Sequence, residues 1–176
     1  SDIADKLLVH QVRLDSEVSL SDQLKNVEPD IIFHFAQGNS FKLDTVDHLL
    51  RQHTESLRMM VNILDFARER KVYRLIHACS STLYGGGNEE FYKEDSLKDP
   101  KSYRGMIKLA ERALCKYYAE HYGLAVCMGR IFRAYGPRDQ EKKLIHQTLK
   151  YHKSGEPLPL VTGGFYRDYI HVEDLV

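Results

Sequence analysis

Apolar and polar positions alternate along this chain on two different periods, and the periods take turns. Short runs rich in β-branched and aliphatic residues cover residues 8–14, 31–36, 72–79 and 124–131, which is the pattern of buried strands. Between them the apolar positions recur every three or four residues, over 20–27, 46–70 and 108–122, where Leu109, Ala113 and Tyr117 fall on one face; this is helical spacing. A further helix is expected over 144–152. The 46–70 stretch is long for so small a domain and is expected to divide into two pieces. Strand alternating with helix predicts an α/β fold, a doubly wound parallel sheet with helices on both faces.

No repeat or low-complexity segment interrupts this order. Gly85, Gly86 and Gly87 mark a flexible loop directly after a strand. The tail from residue 155 is richer in glycine and proline and ends on an apolar strand pattern.

At 176 residues, 43% of them hydrophobic, the chain suits one ordinary domain with a sizeable core. Lys plus Arg and Asp plus Glu stand at 25 each, so net charge gives no argument for nucleic acid or a membrane surface, and an anion site must be local. Cys79, Cys115 and Cys127 are well separated and set in apolar surroundings, as reduced core thiols are; a cytoplasmic setting is expected. The start SDIADKLLVHQVRL has no basic region followed by a long apolar stretch, and no apolar run approaches a membrane span. The nine histidines show no metalloprotease spacing and no clustering with cysteine, so no metal site is expected. His34 and His77, each inside an apolar run, are expected to be core histidines bonded to backbone.

The chemistry-bearing segments are DIIFHFAQ (30–37), ACSSTLYG (78–85), SYRGMIKLAERAL (102–114), GRIFRAYGPRD (129–139) and RDYIHVEDLV (167–176). Ser80 stands where an apolar strand runs out into a Ser-Ser-Thr turn, which presents its hydroxyl at the carboxyl edge of a parallel sheet, where α/β ligands bind. Ser80, Ser81 and Thr82 can equally end the strand by bonding their own backbone. Lys108 can be a solvated helix lysine and Tyr103 an ordinary boundary aromatic. Arg133 suits a phosphate or a surface loop, and Arg167 with Asp168 can simply cap a strand.

In this order and at these spacings the segments resemble the extended short-chain dehydrogenases/reductases that act on nucleotide sugars, in particular the UDP-glucose 4-epimerase branch of the epimerase/dehydratase family. The resemblance covers nearly the whole chain, which relative to that family begins after the first βαβ unit and stops before the C-terminal substrate lobe. It implies a partial Rossmann-like dinucleotide-binding domain over 1–154 and the start of a substrate-binding region over 155–176. It implies NAD as cofactor, a nucleotide-sugar substrate, a homodimer built from the 46–70 stretch and the helix after Lys108, and epimerisation through a transient keto sugar. Ser80, Tyr103 and Lys108 then match the catalytic positions, Ala36, Gln37, Asp15 and Ser56 the cofactor side, and Thr82, Arg133 and Arg167 the substrate side.

Several positions depart from the family pattern. The family tyrosine lies four residues before the lysine, so that the ammonium lowers the phenol pKa. Four residues before Lys108 stands Arg104, with Tyr103 displaced by one, and an arginine stays protonated and cannot act as the base. Ser56 and Met59 occupy places where the family carries asparagine and glycine, and Arg133 that of an asparagine. No glycine-rich dinucleotide turn occurs: Gly85 to Gly87 lacks the spacing and the following helix. A 4,6-dehydratase would carry an acidic pair at Ser81 and Thr82, and a decarboxylase a glutamate at Thr82, so the simple epimerase is preferred. A catalytically silent binding or scaffold relative is the alternative.

Overall fold

The computed structural model describes residues 6–37, 45–86, 91–160 and 167–176. Gly87 of the expected glycine loop and residues 161–166 of the tail lie outside these. Two compact units are formed, residues 1–130 and 131–176.

The first unit carries β1 (Ile31–His34), β2 (Arg74–Ser80) and β3 (Val126–Ile131) in the order β1-β2-β3, with α1 (Leu20–Gln23), α2 (Val46–Glu69) and α3 (Tyr103–Tyr122) between and before them. β1 and β2 pair in parallel, with His34 opposite His77. Parallel neighbours need a long crossover, which α2 supplies between β1 and β2; α3 lies between β2 and β3 in the chain. β2 buries every second residue, Leu75, His77 and Cys79. Leu75 joins Met60, Ile63, Leu64 and Ala67 of α2 and Cys115 and Tyr118 of α3 in the main core. On the other side of β1, Ile31, Phe33 and Phe35 are exposed. The second unit carries β4 (Arg133–Tyr135) and β5 (Tyr169–His171), paired in parallel, with α4 (Leu144–Ser154) and α5 (Val172–Leu175).

The structure corrects three expectations. Residues 8–14 form no strand: no described strand lies beside them, and the backbone of Arg13 is bonded on both sides by the Gln23 side chain, at 3.2 and 3.3 Å. The 46–70 stretch is one helix. It contains no proline or glycine, Thr45 caps it by accepting from His48 N at 3.2 Å, and Gln52, Ser56, Met59, Met60, Ile63, Leu64 and Ala67 make a continuous buried stripe along it. α3 starts at Tyr103 and not at Lys108, because Ser102 caps it with its hydroxyl on Gly105 N at 3.1 Å. Cys79 and Cys115 are buried as expected, while Cys127 is exposed. No described helix is long and apolar enough to cross a membrane.

Candidate functional site

Helices that cross over between parallel strands start at the carboxyl edge of the sheet, so the ends of β1 and β2 and the first turns of α2 and α3 converge there. Ser80 closes β2 and caps the 3-10 turn Ser81–Tyr84: its Oγ accepts from Thr82 N at 3.3 Å and lies 3.0 Å from Thr82 Oγ1. The strand-ending role and the presentation of a hydroxyl pair at the sheet edge therefore coexist. Gly85 ends the turn at φ 79, in the left-handed region, and a Cβ there would stand 1.7 Å from Asp99 O.

α3 is pressed onto this turn. A Cβ on Gly105 would stand 2.5 Å from Thr82 O and 2.8 Å from Pro100 Cβ, so only glycine permits the approach. Arg104, next to it, donates from Nη2 to Gln37 Oε1 at 3.2 Å. Gln37 lies three residues after His34, the last paired residue of β1, and Ser80 three after its partner His77 on β2. Ala36 is exposed and Gln37 half-buried.

Tyr103 and Lys108 are not brought together. The Tyr103 hydroxyl donates to Leu49 O on α2, and burial pushes its phenol above the ordinary value, the opposite of what a general base needs. Lys108 is 3% exposed and no solvated lysine. Its Nζ donates to Glu111 Oε2 at 2.8 Å and Ala78 O at 3.2 Å. Glu111 Oε2 also lies 2.9 Å from His77 Nε2, and His77 stacks on His34 with centroids 5.0 Å apart. His77 thus binds a carboxylate and not backbone, which corrects the sequence expectation. Burial raises the Glu111 carboxyl, but the bond with His77 and the Lys108 charge outweigh it and hold it below the ordinary range. Burial, then the charges of His77 and Lys108, drive His34 down to about 4, with Glu111 opposing.

On α2, Ser56 and Gln52 lie one helical turn apart, both buried, and Ser56 Oγ and Gln52 Oε1 have no partner among the described residues. Asp15 is gripped by Arg13, Nε to Oδ1 at 3.2 Å and Nη2 to Oδ2 at 3.0 Å, and that hydrogen-bonded pair holds its carboxyl below the ordinary value. Its flanks are tied to α2 by Asn62, whose Nδ2 donates to Leu14 O and Ser16 O at 2.7 and 2.8 Å. In the second unit Arg133 and Arg167 are both exposed, Arg133 on β4 and Arg167 just before β5. Arg133 N donates to Asp168 O at 3.2 Å.

Glu111 and the Arg104–Gln37 contact were missed in the sequence. Glu111 stands three residues after Lys108, on its helix face, and that spacing was the available signal. The Gln37 contact spans 67 residues and left none.

The family model described as "NAD dependent epimerase/dehydratase family" matches residues 2–176. Among curated proteins, an uncharacterised UDP-glucose epimerase, YtcB, of Bacillus subtilis (strain 168) is 27% identical over 148 residues, 84% of this chain and 46% of that protein. A dTDP-glucose 4,6-dehydratase of Neisseria gonorrhoeae is 26% identical over 192 residues, 99% of this chain and 54% of that protein. Among solved structures, UDP-glucuronic acid 4-epimerase from Bacillus cereus, in complex with UDP-glucuronic acid and NAD, aligns with TM-score 0.73 at 24% identity, covering 94% of this chain and 51% of that one; at that identity the likeness concerns the fold. The chain spans about half the length of the relatives it matches.

Proposed function

As the chain belongs to the NAD-dependent epimerase/dehydratase family, we propose that it binds a UDP-linked hexose at the carboxyl edge of β2 and takes part in its 4-epimerisation through a transient keto sugar. The observation that carries this is the Ser80–Thr82 hydroxyl pair at the open end of a parallel strand, held against α3 by Gly105. Ser80 donates to, or accepts from, the hexose hydroxyl that loses its proton, and Thr82 orients Ser80. In the second unit Arg133 and Arg167 are exposed guanidiniums of the kind that suits a diphosphate.

NAD, when bound, supplies the hydride acceptor and donor. Its ribose side suits the residues present: Ser56 Oγ and Gln52 Oε1 are buried polar atoms without partners among the described residues, and Ala36 is exposed just past β1. Ala36, Gln37 and Ser56 would hold that side, and Asp15 the adenine side. The sequence contains no glycine-rich phosphate cradle. The functional division is dinucleotide side over 1–154 and substrate side over 155–176, working in the cytoplasm as a homodimer. The elimination of a 4,6-dehydratase is disfavoured because Ser81 and Thr82 offer no acidic pair.

In this reading Tyr103 releases Leu49 O when substrate binds, loses its own proton to solvent and, as phenolate, takes the sugar hydroxyl proton, a step that its raised phenol pKa opposes, while Lys108 holds the end of β2 through Ala78 O. A second reading, binding without turnover, is favoured by those same contacts, because Tyr103 is tied to α2 and the Lys108 charge is spent on Glu111. UDP-glucose deuterated at hexose carbon 4, incubated with NAD and the full chain, separates them. Epimeric product that keeps its label supports transient oxidation and return of the same hydride. Bound sugar with no product supports the silent relative, and label lost to water rejects the mechanism.

A further inference from the structure

We infer that Arg104 and Gln37 form an anion-recognition site, which selects the negatively charged oxygens of the ligand beside the Ser80–Thr82 hydroxyl pair; this rests on the nucleotide-sugar reading above. The argument starts from what each group can offer. Arginine has only donors, so the Gln37 oxygen must face it at 3.2 Å, and the Gln37 amide N–H groups are turned away from the guanidinium. Among the described residues Arg104 makes this bond and has no carboxylate partner. It is exposed, so its charge is neither neutralised by a salt bridge nor withdrawn into the core.

Placement makes the pair more than a surface contact. Arg104 adjoins Gly105, whose close approach to Thr82 O sets the first turn of α3 onto the Ser80 turn. Gln37 follows the end of β1, and β1 pairs with the strand that Ser80 closes. A positive charge bonded to an amide thus sits on the residue next to the one that meets the turn carrying the two hydroxyls. Lys108 is withdrawn to Glu111, and Lys101, against Gly85, is paired with Asp99, whereas Arg104 faces an uncharged amide. A guanidinium with an adjacent amide suits a two-oxygen anion. That anion has two sources in a sugar nucleotide, a carboxylate on the hexose or the diphosphate.

Titration calorimetry of the full chain with UDP-glucuronate, UDP-glucose and UDP tests this and names the source. If Arg104 reads the hexose, UDP-glucuronate binds at least tenfold more tightly than UDP-glucose, and Arg104→Gln removes the difference. If it reads the diphosphate, Arg104→Gln weakens all three by about tenfold or more. Gln37→Glu, which puts a carboxylate against the guanidinium without shortening any side chain, reproduces whichever loss occurs, and Arg104→Lys restores part of it. Unchanged affinities, within twofold, in a folded Arg104→Gln protein overturn the inference and leave the nucleotide-sugar reading standing. No binding of any of the three by the parent chain overturns both.

Discussion

Lys108 Nζ lies 2.8 Å from Glu111 Oε2, one helical turn along α3, and each residue is 3% exposed. With His77 on the same carboxylate oxygen, this is an ionic network closed off from solvent. Removing one member leaves the other as a buried charge, whereas removing both leaves no unpaired charge of the two and costs packing and the His77 hydrogen bond. Lys108→Met or Glu111→Leu alone is predicted to destabilise the fold by about 3–5 kcal/mol, and the double variant by clearly less than the sum. Denaturant unfolding of the four proteins measures this, and additive losses would mean that the two side chains are not coupled.

Acid is predicted to weaken the same region. His34 faces His77 from β2 and lies in the field of Lys108 and Glu111 from α3. Its proton is taken up near the ordinary 6.5 in the unfolded chain and at about 4 in the folded one. Between those values the unfolded state binds more protons, so stability falls as pH drops, by about 3 kcal/mol at full effect. Glu111, held below its ordinary value, contributes stability that is present above that value and is lost as pH falls through its lower folded one. Both act in the same direction. The melting temperature should fall from pH 6.5 to 4, and His34→Leu should flatten the upper part of that loss; a variant curve parallel to the parent's would contradict the assignment.

Gly105→Ala tests the seating of α3 on the Ser80 turn. The new methyl meets Thr82 O and Pro100, and Thr82 O is backbone, so α3 must shift. A loss of about 1–3 kcal/mol is expected, together with weaker UDP-glucose binding by calorimetry. A variant as stable and as tightly binding as the parent would mean that the approach of helix and turn is not needed.

The α2 and α3 helices pack on each other in one core, while Val46, Leu50, Met106, Tyr117 and Tyr122 remain exposed on them. A homodimer through these helices predicts a solution mass of about twice 20.4 kDa by light scattering. A mass of one chain at micromolar concentration would reject it.

The fold was legible where burial alone decides structure. The 72–79 and 124–131 runs and the long 46–70 period appear within a few residues as β2, β3 and α2. Residues 8–14 failed because a strand needs a neighbour as well as a pattern, and no described strand lies beside them. The start of α3 was missed because the apolar spacing marks the helix only from Lys108, while its first turn is held by the Ser102 cap and the approach of Gly105 to Thr82 O. The strand-end position of Ser80 was legible because an apolar run followed by hydroxyl residues has a direct structural meaning. The partners of Tyr103 and Lys108 were not, because one is a backbone carbonyl 54 residues away and the other a buried carboxylate whose value depends on exclusion of water.

The most direct test of the proposed function is the rate at which the full chain, with saturating NAD, interconverts UDP-glucose and UDP-galactose, compared between the parent and Ser80→Ala. The expected result is interconversion by the parent and a rate at least about a hundredfold lower in the variant, with UDP-glucose still bound. No interconversion by the parent, or an unchanged rate in Ser80→Ala, would contradict the account.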